Sequence, residues 1–264
     1  MRVRRLLVFF VLVSACSGTG GAAVAPPTTL PPPTTTTTIG YPDEIVDPPD
    51  TRPVFQGFTT DTIPESMTLV ARAVDDIPVY ESPDAPSPFV TVPAQTILGT
   101  TTVFAVVDGP VDGWAEVMLP VRPNDATGWI NTSDMALYVV DGLMVIDLSE
   151  RNLTYYENGK LVLDTEVAVG TDRNSTPTGN FYVTDNVTLA DPNSPWGPHA
   201  FGLSARSDTI TEYNGGDGII GIHGTNRPSS IGQAASLGCI RLPNDVITRL
   251  HGMVPIGTPV EIVA

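Results

Sequence analysis

Cysteine is nearly missing from this chain. Its 264 residues include two, Cys16 and Cys239, and only three histidines. Two thiols are too few for a disulfide-stapled scaffold. Basic residues are also scarce, with 13 Lys and Arg against 29 Asp and Glu, for a formal charge of −16. Such a balance repels phosphate backbones and anionic headgroups, which excludes nucleic acid and any broad electrostatic membrane contact. The bland reading of the acidity, simple solubility, is preferred. No apolar run is long enough to span a bilayer comfortably; Leu6–Ala15, "LLVFFVLVSA", comes nearest.

That run follows "MRVRR" and has the length of a signal-peptide h-region. It ends in "VSAC", where small residues ahead of Cys16 resemble a bacterial lipobox. The alternative is an ordinary signal peptide that happens to contain a cysteine. On the lipobox reading Cys16 is lipidated and heads the mature chain. The protein then sits in the cell envelope, anchored at the outer face of the cytoplasmic membrane and touching it only through that lipid. Loss of Arg2, Arg4 and Arg5 would take the charge from −16 to −16 − 3 = −19.

Residues 17–66 read as a tether. "PPTTLPPPTTTTT", Pro26–Thr38, favours extended polyproline II and has little apolar surface to bury. About 35 such residues reach on the order of 100 Å at ~3.1 Å each. The remainder suffices for two modest domains. Residues 67–140 are short strand-like runs divided by turn signals, without helical period, and predict a small β-barrel or sandwich. "GWAEVMLPVRPNDATGWI" resembles bacterial Src-homology-3-type barrels. Trp114 and Trp129 fit core or turn packing better than ligand stacking.

Residues 143–264 predict a second, mostly β domain with one or two short helices, expected to fold on its own. Asn158-Gly159 between alternating runs is a hairpin signal. "DGIIGIHGT" is a strand ending at His223. Pro243-Asn244-Asp245 offers an N-cap for "DVITRLH", with Gly252 as its stop. Cys239 follows His223 sixteen residues later and precedes that helix. A lipidated Cys16 leaves Cys239 unpaired, either as a small buried hydrophobe or as a nucleophile activated by the imidazole. On the second reading Gly238 admits a substrate carbonyl, and amides around Gly238 and Cys239 supply an oxyanion hole.

"IHGTNRPSSIGQAASLGCIRLP", Ile222–Pro243, decides between them. It resembles the signature of the L,D-transpeptidase catalytic domain, H-G-T followed by S-x-G-C-I-R. "STPTGNFYV" and "YYENGKLV" also match that family. The resemblance implies a cofactor-free and metal-free acyl transfer on peptidoglycan stem peptides. Cys239 attacks the carbonyl of the third residue of a donor tetrapeptide, D-alanine leaves, and an acceptor amine resolves the thioester. His223 is the base, and a backbone carbonyl near Gly224 orients it. Ser236 shapes the loop or polarises the donor carbonyl. Arg241 holds a stem carboxylate or anchors the loop. Relatives of this kind are inactivated by carbapenems. Many carry histidine where this chain has Leu237, which bears on rate and pH optimum.

The alternatives are a hydrolase on the same scaffold and a non-catalytic wall-binding lipoprotein. His199 fits a strand surface better than the donor cleft. His251 sits at a helix end, where its charge suits the dipole. A zinc site of Cys239 with two histidines lacks ligand spacing.

Overall fold

The computed structural model describes residues 59–213 and 216–264. The expected signal peptide, Cys16 and the expected tether up to residue 58 lie outside the described residues.

The N-terminal region contains β1 (Thr68–Ala73), β2 (Ile77–Val79), β3 (Val90–Val92), β4 (Val103–Val111), β5 (Trp114–Met118), β6 (Thr127–Asn131) and β7 (Met135–Val140). Five form an antiparallel sheet in the order β6-β5-β4-β1-β7, and β2 pairs with β3. Reciprocal bonds of 2.8 Å between the Tyr80 and Trp129 backbones tie this ribbon to β6. Alternation does the sorting: Ala115 and Val117 on β5 and Ile130 on β6 face inward, with Phe104 and Leu69 beside them. Ile63, ahead of β1, packs against the same cluster. Trp114 and Trp129 are half-buried, and Trp114 meets Tyr80 edge-on at 5.2 Å.

The C-terminal region contains β8 (Gly142–Asp147), β9 (Asn152–Glu157), β10 (Lys160–Glu166), β11 (Val169–Gly170), β12 (Gly179–Thr188), β13 (His199–Arg206), β14 (Ile219–His223), β15 (Ala234–Ser236), β16 (Ile240–Arg241), α1 (Asn244–His251) and β17 (Pro259–Val263). The fold is thus mainly β, with α1 the single α-helix among the described residues. Eight strands run in the order β10-β9-β8-β17-β12-β13-β14-β16. Only β8–β17 and β14–β16 pair in parallel within this sheet. Asn158 and Gly159 turn the β9–β10 hairpin with φ of 50° and 69°, the left-handed pair that a tight hairpin requires. Helix α1 drops Ile247 and Leu250 into the core of this sheet. Its N-cap position is Pro243, whose ring has no polar atom to cap with, and the Asn244 side-chain Oδ1 accepts from the Thr225 amide.

The two regions share an apolar seam. Phe181 and Val183 on β12 face the C-terminal core, while Tyr182 between them points to the opposite side. There it packs among Val70, Val103, Ala105, Tyr138 and Val140. Its hydroxyl donates to the Val103 carbonyl at 3.1 Å, and Tyr138 donates to Ile256 at 3.0 Å. Excising 143–264 would uncover Tyr182, which is fully buried in the whole chain, and forfeit roughly 1.5–3 kcal/mol of burial. The excised segment is expected to keep its strand signal in circular dichroism but to unfold at a lower temperature than the whole chain. Equal midpoints would mean that the seam contributes nothing.

Candidate active site

Parallel pairing of β14 with β16 sets Ile222 beside Ile240 and His223 beside Arg241. One step back along the same register, Cys239 lies opposite Gly221. Side chains alternate along a strand, so His223 and Cys239 project diagonally from one face, and both line the same cleft. A Cβ on Gly221 would lie 3.1 Å from the Phe201 carbonyl oxygen and 3.7 Å from the Trp196 ring.

His223 is 5% exposed, and its Nδ1 lies 2.6 Å from the Gly224 carbonyl oxygen. A carbonyl only accepts, so Nδ1 carries the proton and Nε2 presents a lone pair. Burial, and secondarily the Arg241 charge, push the imidazole pKa down to about 4 against the opposing pull of the Gly224 bond. His223 is therefore neutral near pH 7. Trp196 packs against its ring at 4.6 Å between centroids. Burial pushes the Cys239 thiol up, while the Gly221 amide and Arg241 pull the other way. The resting pair is thiol and neutral imidazole rather than a preformed ion pair.

Ser236 is buried and locks the turn ahead of the sulfur. Its Oγ accepts from the Gly238 amide at 3.0 Å and donates to the Cys239 carbonyl at 2.5 Å. Gly238 stands at φ 118°, a conformation that favours glycine, and a Cβ there would lie 3.1 Å from Ile220. The Gly238 amide is consequently occupied, which corrects the expectation that it serves an oxyanion hole. The Cys239 amide has no acceptor among the described residues and remains open for that role. Thr176, from the "TPTG" stretch, donates from Oγ1 to the Gly238 carbonyl at 2.8 Å and accepts from Gly170 at 3.0 Å. Sequence reading used that stretch only as a motif and missed this bond.

Arg241 anchors its strand through the backbone, exchanging two 2.9 Å bonds with Ala168. Its guanidinium has no partner among the described residues and lines the cleft. Gly224 is fixed by crowding: a Cβ there would sit 2.5 Å from Asn244 Oδ1 and 3.0 Å from Pro198. The rest of the cleft is largely apolar, walled by Pro195, Trp196, Ile210, Tyr213, Ile219 and Leu237. Leu237 is 52% exposed. Trp196 and Tyr213 were not singled out from sequence; the signal available was an aromatic in the turn-rich "NSPWGP".

His199 and His251 lie outside this cleft. Their rings stack at 3.9 Å, and the Thr188 hydroxyl is 3.3 Å from a nitrogen of each. Burial lowers the pKa of both, and for His199 the neighbouring His251 charge lowers it further. All three histidines thus titrate below 6.5 when folded. The unfolded chain binds their protons first, so stability is complete above about pH 6.5 and falls as pH drops toward 4. For buried His223 the slope reaches about 1.4 kcal/mol per pH unit. Thermal midpoints measured between pH 7 and 5 are expected to fall, and His223→Gln should flatten the decline.

The family model described as YkuD, L,D-transpeptidase catalytic domain, matches residues 141–262. The YkuD protein of Bacillus licheniformis is 37% identical over 119 residues, 45% of this chain and 64% of that protein. The YkuD protein of Bacillus subtilis is 34% identical over 125 residues, 47% and 68% of the respective chains. An L,D-transpeptidase structure from Mycobacterium tuberculosis H37Rv aligns at 15% identity and a TM-score of 0.41, covering 62% of this chain and 91% of its own. The chain belongs to the YkuD L,D-transpeptidase catalytic-domain family.

Proposed function

We propose that this protein cross-links peptidoglycan stem peptides through a thioester on Cys239. The observation that carries the reading is the His223 imidazole, tautomer fixed by the Gly224 carbonyl, on the same strand face as the thiol. In the acylation step Nε2 takes the thiol proton as Sγ bonds to the carbonyl carbon of the third residue. The Cys239 amide faces the oxyanion. The carbon–nitrogen bond to D-alanine then breaks, and the imidazolium returns the proton to the leaving amine. In the second step an acceptor amine attacks the thioester, loses its proton to His223, and the sulfur departs. The amide bond energy of the donor is thus conserved without ATP. The apolar walls favour this outcome over hydrolysis by limiting water at the thioester.

Purified protein, stem tetrapeptide and an amine acceptor, followed by mass spectrometry, test this directly. D-Alanine release with a cross-linked product is expected. Tripeptide alone would assign the protein as a hydrolase, and an unchanged donor would leave a wall-binding lipoprotein.

A lipid on Cys16 would hold the site at the outer face of the cytoplasmic membrane. Cys16→Ala is expected to shift the protein from the membrane to the soluble fraction. Unchanged fractionation would exclude that anchor.

A further inference from the structure

We infer that Arg122 and Asn124, both from the N-terminal region, are positioning residues for the donor cleft of the C-terminal one. The chain between β13 and β14 supplies one wall of the cleft through Ile210, Tyr213 and Gly218. That wall is held from outside by the loop between β5 and β6. Arg122 spreads its guanidinium over it: Nε donates to Asp217 Oδ1 at 2.9 Å, Nη1 to the Ser207 carbonyl at 2.7 Å, and Nη2 to the Ile210 and Asp217 carbonyls at 3.2 and 3.3 Å. Asn124 behaves as a short extra strand where β13 ends. Its Nδ2 donates to the Arg206 carbonyl at 2.9 Å, and its Oδ1 accepts from the Arg206 amide at 2.8 Å. Arg206, itself buried, reaches back to the Pro120 carbonyl and shares Asp217 with Arg122.

Both ends of the wall are therefore gripped by one loop of the other region. The exposed Arg122–Asp217 ion pair by itself is worth little. What matters is the fork, which fixes three backbone carbonyls relative to one another, a task a planar guanidinium performs and an ammonium does not. Gly218 fits because its φ is 57° and a Cβ would lie 1.9 Å from the Ile210 carbonyl oxygen. Releasing the fork loosens Ile210 and Tyr213 against the substrate while leaving Cys239, His223 and Gly224 bonded as before. The consequence is weaker donor binding with little change in the chemical step.

This deepens the proposed transpeptidase reading and rests on it, so two readouts are needed. In the first, Arg122→Ala in the whole chain is expected to raise the KM for stem tetrapeptide roughly tenfold with kcat within about threefold. Arg122→Lys should fall between variant and wild type. Tyr182→Phe, which removes a hydrogen bond from the same seam away from the cleft, should lower the thermal midpoint without moving KM. In the second, hydrogen exchange at Thr209 and Ile210 is compared between wild type and Arg122→Ala, a measurement that needs no turnover. Faster exchange supports the clamp even if the donor proves not to be a stem peptide. Wild-type exchange in Arg122→Ala, or a KM shift matched by Tyr182→Phe, overturns it.

Discussion

Cys239→Ala is expected to abolish both stem-peptide turnover and covalent capture by a carbapenem. Wild-type protein mixed with a carbapenem should gain the mass of one inhibitor, mapped to Cys239, as its strained amide opens onto the sulfur. The half-buried thiol lies at the floor of an accessible cleft with His223 on the same face and an open amide on its own residue. Those are the requirements for attack on an acyl carbon: a reachable sulfur, a base and oxyanion donors. Removing the nucleophile of an acyl-transfer site costs roughly 10⁴-fold or more. Intact-mass measurement and product analysis check both halves. Metal chelation should alter neither. Persistence of turnover in Cys239→Ala would move the chemistry off this residue.

His223→Ala should slow acylation of Cys239 by about 10²–10⁴-fold, the range for loss of a positioned general base. The loss is large because burial leaves the sulfur protonated at rest, so the proton must be taken during attack. The pH profile provides an independent check. With its pKa near 4, His223 is unprotonated above that value and becomes charged below it. Wild-type kcat/KM should therefore hold on the acid side until pH approaches 4 and then fall. His223→Ala should lose that limb. An acid limb centred near 6.5 in the wild type would contradict the burial-driven shift. Leu237 bears on the same question, since it brings an apolar side chain to the cleft and His223 is the one imidazole that lines it among the described residues.

Much of the scaffold was legible from local chemistry. Asn158-Gly159 marked its hairpin because few other residue pairs tolerate two successive left-handed conformations. The strand ending at His223 and the short helix between Pro243 and Gly252 followed from their strand, cap and stop signals. The family resemblance carried by H-G-T and S-x-G-C-I-R picked out His223 and Cys239, which line one cleft. The N-cap stretch Pro243-Asn244-Asp245 was legible, but not the bond from the Thr225 amide to Asn244 Oδ1, nineteen residues away in the chain.

By itself, then, the sequence determined the β-rich class and the tight turns, which depend on backbone sterics and on side-chain chemistry within a few residues, and it singled out Cys239 and His223 through the family resemblance that their motifs carry. Only the tertiary structure decided that Thr176 braces the loop from 62 residues away and that Arg122 grips a cleft wall 85 residues further along. A polar group's partner is set by which segments packing brings within 3 Å, and no local propensity carries that information.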